Sequence, residues 1–200
     1  MTGKSNTVAA MTSTGKDDWK TPPAVLDALN AEFGFILDAA SSGPSFPMPQ
    51  WCQPVPWLGP GGVRPDGLDP WPSPDDCIGC LSPGWAGSVP AAWLNSPYSR
   101  AAGRGQGIKA WHERAWLESR NGWTVVVLCP PHPGRRWMQE FGRKADEVRV
   151  YKRRLAFIDP ATGEAVRGNT QDSCLVVYRP HVPAAGWPGG PRWSWVDVPS

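Results

Sequence analysis

Asn95-Ser96-Pro97-Tyr98 is the stretch of this 200-residue chain whose residue types and spacing can do chemistry. An apolar run, Ala91-Ala92-Trp93-Leu94, precedes it and reads as a buried strand. A strand that stops at Asn-x-Pro-aromatic places an amide, a rigid turn and a ring at one sheet edge. In an open α/β sheet, ligands bind outside the carboxyl ends of the strands. The side-chain oxygen of Asn95 and the backbone carbonyl of Ser96 can both accept hydrogen bonds from one exocyclic amino group. Tyr98 offers a face for a planar base, a contact worth about 1–3 kcal/mol.

Other chemistry-bearing residues are spread along the chain. Phe35-Ile36-Leu37-Asp38-Ala39-Ala40 reads as a short buried strand ending in an acid followed by small residues. A carboxylate there can accept hydrogen bonds from a ligand's ammonium or hydroxyl groups, and small residues admit a close approach of the backbone. Charge is unevenly distributed. Residues 1–99 hold four Lys/Arg against nine Asp/Glu, whereas residues 100–154 hold thirteen against five. The basic block starts directly after Tyr98, which points to a phosphate-facing surface beside the pocket; solvated helix faces explain it equally well. Of the five cysteines, Cys77 and Cys80 form a C-x₂-C pair and Cys52 is the nearest third thiol, half of a zinc site with nothing to complete it. His132, after the strongest strand, is a less favoured candidate base.

The elements that must position these residues follow from periodicity. Residues 1–16 lack it and read as a disordered arm. Thr21 is a suitable N-cap and Pro22 suits the first helical position, ahead of the stripe Val25, Leu26, Leu29, Phe33 and the stop at Gly34. Residues 41–90 are dense in Pro, Gly and unphased Trp and read as an irregular insertion. A helix is expected from about Ile108 to Arg120, with Ile108, Trp111, Ala115 and Trp116 facing inward. Trp123–Cys129, a nearly continuous β-branched run, is expected to be a central parallel strand. A helix from Arg135 to Arg143, a strand over Glu147–Tyr151, a hairpin continuation through Ile158 and a final strand over Cys174–Tyr178 complete the reading. Residues 180–200, rich in Pro, Gly and Trp, read as a poorly ordered or surface-packed tail. Residues 17–179 thus form one α/β domain. No signal peptide or transmembrane run is recognised, and the expected setting is cytoplasmic, with reduced thiols.

Asn95-Ser96-Pro97-Tyr98 resembles the (Asn/Asp/Ser)-Pro-Pro-(Tyr/Phe) motif of S-adenosylmethionine-dependent amino-methyltransferases, departing from it at Ser96. Further stretches extend the likeness: Asp17-x-Trp19-x-Thr21-Pro22, Glu32-Phe33-Gly34-Phe35, Leu37-Asp38 and the basic-x-Arg-Leu-x-Phe spacing of Lys152-Arg153-Arg154-Leu155-Ala156-Phe157. The ordered set resembles the phage-type, Dam-like DNA N6-adenine methyltransferases. That resemblance implies a class I methyltransferase-like (Rossmann-like) doubly wound sheet with its last strand antiparallel. It implies S-adenosylmethionine bound near Thr21, Pro22, Asp38, Ala39 and Asn95. It implies a flipped-out adenine of double-stranded DNA held by Asn95, Ser96, Pro97 and Tyr98. Ser99, Arg100, Arg104, Arg135, Arg136, Lys152, Arg153 and Arg154 would then face DNA. An amino nitrogen conjugated with its ring is a poor nucleophile, and two acceptors holding its hydrogens localise the lone pair; positioning is the main device. The resemblance also implies a phage or prophage gene in a bacterial host. Three other readings stay open: an inactive methyltransferase scaffold that binds nucleic acid, a cytosine-N4 or RNA amino-methyltransferase, and a zinc-stabilised module on Cys52, Cys77 and Cys80.

Overall fold

The computed structural model describes residues 19–40, 68–71, 73–74, 89–96, 98, 107–166, 169–180 and 190–199. The expected disordered arm, most of the insertion, Pro97, Ser99, Arg100, Arg104 and the thiols of Cys52, Cys77 and Cys80 lie outside the described residues.

Helix α1 (Pro23–Phe33) buries Val25, Leu26, Leu29 and Phe33, the stripe expected from its spacing. Gly34 ends it in the left-handed conformation (φ 63°), and its N–H donates to the Asn30 carbonyl at 2.8 Å. A side chain at that φ would be strained, which is why the stop is glycine. The helix start differs from expectation. Pro22 occupies the N-cap position without a side-chain cap, and Thr21 lies one residue outside, its hydroxyl engaged elsewhere.

Among the described residues six strands follow: β1 (Phe35–Asp38), β2 (Ala91–Leu94), β3 (Thr124–Cys129), β4 (Glu147–Tyr151), β5 (Cys174–Tyr178) and β6 (Arg192–Val196). They form one sheet in the order β1-β2-β3-β5-β4-β6. β1, β2 and β3 run parallel, β5 is antiparallel to both β3 and β4, and β4 is parallel to β6. The antiparallel strand over Cys174–Tyr178 is as expected; it is not the last, because the tail supplies β6. Arg192-Trp193-Ser194-Trp195-Val196 alternates with period two, a strand signal masked by the surrounding Pro and Gly.

Alternation along the strands divides the core between two faces. Trp93, Val126, Leu128, Leu175 and Val177 meet α1 on one face. Ala92, Leu94, Val125, Val127, Val148 and Val176 meet helices α2 (Gly107–Arg120) and α3 (Arg136–Glu140) on the other. α3 is shorter than expected, since the chain tightens into a 3-10 turn over Gly142–Lys144. Gly142 packs directly on the Met138 side chain, leaving no room for a Cβ. After β4 the expected hairpin is reduced to isolated bridges: Ile158 pairs with Ala165 and with Lys20. Leu155 and Phe157 in that segment are buried on the α1 face. The salt-bridge chain Glu32–Arg149–Glu147 further ties α1 to β4.

Candidate active site at the carboxyl edge of the sheet

The carboxyl ends of β1, β2 and β3 lie side by side. Asp38 is in register with Trp93, and Leu94 with Val127, so Asn95 leaves β2 beside Leu128 of β3. The start of α1 reaches the same edge, because Lys20 and Ile158 exchange both backbone hydrogen bonds, at 3.0 and 2.9 Å. Residues Trp19–Thr21 are thereby held against Asn95.

Asn95 is half-buried and its two amide ends have different surroundings. Nδ2 donates to the Trp19 carbonyl at 3.1 Å and to Thr21 Oγ1 at 3.2 Å. Oδ1 accepts from the Tyr98 hydroxyl at 3.4 Å, and the same hydroxyl lies 3.3 Å from the Leu128 carbonyl. Both of those bonds are long for an O–H donor, so Oδ1 keeps most of its capacity as an acceptor. Tyr98 is 36% exposed at this edge. Ser96 is only 3% exposed, and its hydroxyl has no hydrogen-bond partner among the described residues. A buried polar atom without a partner calls for one, such as a bound ligand or water.

Asp38 sits on the far side of β2. Its Oδ1 accepts from the Ala40 N–H at 3.3 Å, and the Ala39 N–H donates to the Trp93 carbonyl at 3.2 Å. The carboxylate therefore closes a turn at the end of β1, the structural role an acid at a loop start often has. Thr21 is 5% exposed and touches Asn95; Pro22 accepts at its carbonyl from Val25 and Leu26 of α1. Asn95, Tyr98, Thr21 and Leu128 are thus in one hydrogen-bonded group, while Asp38 and Ala39 adjoin it across β2.

The basic residues divide by their partners. β4 runs parallel to β3, so Lys152–Arg154 emerge at the same edge as the Pro130–Arg136 loop. Lys152 pairs with Asp197 at 3.0 Å, Arg154 with Asp172 at 3.1 Å, and Arg136 with Glu140 at 3.1 Å. Arg135 and Arg153 are exposed and make no ion pair among the described residues. His132 is exposed and contributes to the loop through its backbone, donating to the Pro130 carbonyl and accepting from Arg135. Among the described residues, no group of three His, Cys, Asp or Glu side chains is placed to hold a metal ion, and no helix is long and apolar enough to cross a membrane.

Two parts of the site are invisible to residue-by-residue reading. The Trp19 and Leu128 contacts are made by backbone carbonyls, which carry no side-chain signature. Reading Tyr98 for its ring leaves out its hydroxyl, which links β2 to β3.

No curated protein and no solved structure matches the chain. The family model described as DNA N-6-adenine-methyltransferase (Dam) matches residues 75–188, more than half of the sequence. The matched span contains β2 through β5, with the Asn95–Tyr98 turn and both basic segments of the edge. On that match, the chain belongs to the DNA N-6-adenine-methyltransferase (Dam) family of enzymes.

Proposed function

We propose that the protein transfers a methyl group from S-adenosylmethionine to the N6 amino group of an adenine flipped out of double-stranded DNA, on a class I methyltransferase-like, Rossmann-like doubly wound sheet. The observation that carries this reading is the amide of Asn95: its donor end is occupied by Trp19 and Thr21, and its acceptor end is directed at the Tyr98 side of the edge. An acceptor held in that way suits a substrate that presents hydrogens, as an exocyclic amine does. The Ser96 carbonyl would take the amine's second hydrogen, and Pro97 would stiffen the turn. The Tyr98 ring would stack on the extruded base, at a cost of a few kcal/mol for unstacking it from the duplex.

The residues present fit the cofactor. The Ser96 hydroxyl, without a partner among the described residues, and the half-buried Asp38 carboxylate with the small Ala39 beside it are polar groups at strand ends. Asp38, Ala39, Thr21, Pro22 and Asn95 would line the binding site. S-adenosylmethionine, when bound, supplies an electrophilic methyl group on a sulfonium centre. The protein's own part is to localise the lone pair of the amine, to hold the base at fixed distance and to exclude water. Ser99, Arg100, Arg104, Arg135, Arg136 and Lys152–Arg154 would hold phosphates; Arg135 and Arg153 are the most available of those described.

The test is to incubate the protein with duplex DNA and methyl-labelled S-adenosylmethionine, digest the DNA and identify the labelled nucleoside. N6-methyladenine supports the reading. Labelled N4-methylcytosine, or label only in an RNA substrate, transfers the chemistry to another exocyclic amine. Cofactor or DNA binding without label in any substrate indicates an inactive scaffold.

A further inference from the structure

The family match begins at residue 75, so nothing in it accounts for the contact between Trp19–Thr21 and Asn95. We infer that Thr21 is a positioning residue for methyl transfer: with the Trp19 carbonyl, its hydroxyl locks the Asn95 side-chain amide in the one orientation that turns Oδ1 toward the amine to be methylated. The inference rests on the proposed amino-methyltransferase chemistry.

An asparagine amide is nearly symmetric in shape and opposite in chemistry at its two ends. A flip about its terminal torsion would exchange acceptor for donor at little steric cost. The flipped form would present N–H groups to an incoming amino group, a donor facing a donor. The Trp19 carbonyl can only accept, so it selects Nδ2, and Thr21 Oγ1 takes the second hydrogen at 3.2 Å. Both hydrogens of Nδ2 are therefore used, and rotation in either direction breaks two bonds. The lock is itself held. Thr21 is 5% exposed, and Lys20 between the two partners is bridged in both directions to Ile158, whose neighbours Leu155 and Phe157 are buried on the α1 face. The basic-Leu-x-Phe segment after β4 thus reaches the chemistry indirectly, by holding the Trp19–Thr21 segment that holds the amide. This also accounts for Thr21 lying outside the helix cap. Pro22 at the N-cap leaves the hydroxyl free to face Asn95.

The test uses the full-length protein with Thr21→Val, which keeps the shape and removes the acceptor, and Thr21→Ser, which keeps the acceptor. Each is measured for kcat, for KM toward duplex DNA and cofactor, for thermal midpoint, and for the Asn95 side-chain NH₂ resonances in ¹⁵N-labelled protein. Losing one hydrogen bond of this kind is expected to lower kcat about five- to tenfold in Thr21→Val. The KM for duplex DNA should stay within twofold and the thermal midpoint within a few degrees of the parent. Thr21→Ser should recover most of the rate. In the parent the two Asn95 amide hydrogens should exchange slowly, and Thr21→Val should speed the exchange of both. A Thr21→Val protein with parental kcat and parental amide exchange overturns the inference. So does a loss of rate that Thr21→Ser does not rescue, or one that appears only in KM for the cofactor. If the parent methylates no amine, the functional reading fails, while the amide exchange still reports whether Thr21 locks Asn95.

Discussion

Two groups of buried or half-buried polar side chains lie within this sheet, and they are built to opposite ends. At the carboxyl edge, Asn95 offers an acceptor whose bond from Tyr98 is long at 3.4 Å, the Ser96 hydroxyl has no partner among the described residues, and Tyr98 is partly exposed. Beneath α2, Glu118 is fully buried and saturated. It accepts from the Trp71 N–H at 3.1 Å, from Arg114 at 2.9 Å and from Asn121 at 3.1 Å. Also buried on α2, His112 bonds Tyr178 through Nδ1 at 2.8 Å and stacks on Trp137 with ring centroids 4.4 Å apart, while its Nε2 has no hydrogen-bond partner among the described residues. Burial drives the His112 pKa down to about 3, so the ring is neutral across the physiological range. A group sealed in the core fixes structure; one at the open edge of the sheet is placed to meet a ligand. Perturbed ionisation alone would have selected His112, and geometry assigns it to the core.

The comparison can be broken by exchanging the consequences of mutation. Asn95→Ala should lower the rate of methyl transfer about 100- to 1,000-fold, the usual scale for removing a preorganised hydrogen-bonding group from a reaction centre. Its thermal midpoint should stay close to the parent's. Glu118→Ala should do the reverse. It leaves Arg114 and the Trp71 N–H without their partner and should cost about 2–3 kcal/mol in denaturant unfolding. The kcat per folded molecule should be unchanged. If Glu118→Ala abolishes turnover while the protein stays folded, the separation of the two groups is wrong.

Acid sharpens the same contrast. The folded His112 pKa lies below its unfolded value of 6.5, so the unfolded chain takes up a proton first. Stability is therefore full above pH 6.5 and declines as pH falls toward 3, by about 2 kcal/mol at pH 5. Glu147 adds a lower window. Partial burial opposes ionisation, but hydrogen bonds from Arg179 and Arg149 hold its carboxyl down at about 2, so its contribution is lost as pH falls from 4.5 toward 2. Unfolding midpoints between about pH 7 and about pH 5 should slope for the parent and flatten for His112→Phe. The smallest expected effect concerns phosphate contacts. Arg135→Ala or Arg153→Ala should lower the slope of log affinity against log salt by about one. Lys152→Ala should change it less, because Asp197 already occupies that cation.

Much of the fold is legible in the sequence because its signals are local. The α1 stripe, the Gly34 stop and the β-branched run of β3 state their structures within a few residues. The turn after β2 is legible for a different reason, since its residue types are chemically specific. What escapes depends on pairing across distance. β6 alternates correctly, yet only its partner β4 makes it a strand rather than a Trp-rich tail. His112 and Glu118 lie on the inward face of α2 and read as ordinary polar helix residues, because their partners are 66 residues away at Tyr178 and 47 away at Trp71. Thr21 reads as a cap because its true partner, Asn95, is 74 residues further on.

The placement of β5 governs when this sheet can close. Cys174–Tyr178 lies between β3 and β4, both of which precede it in the sequence and do not pair with each other. On a nascent chain, β3 and β4 therefore emerge with facing edges open, and β4 stays apart from β1–β3 until residue 178 has left the ribosome. Pairings this distant in sequence slow folding, since loops must close before the contacts that reward them form. An unpaired β3 edge of Val125, Val126 and Val127 is in that interval a site for association with other chains. Lower expression temperature should accordingly raise the soluble yield, and chains stopped between residues 151 and 174 should accumulate as aggregates rather than as smaller folded domains.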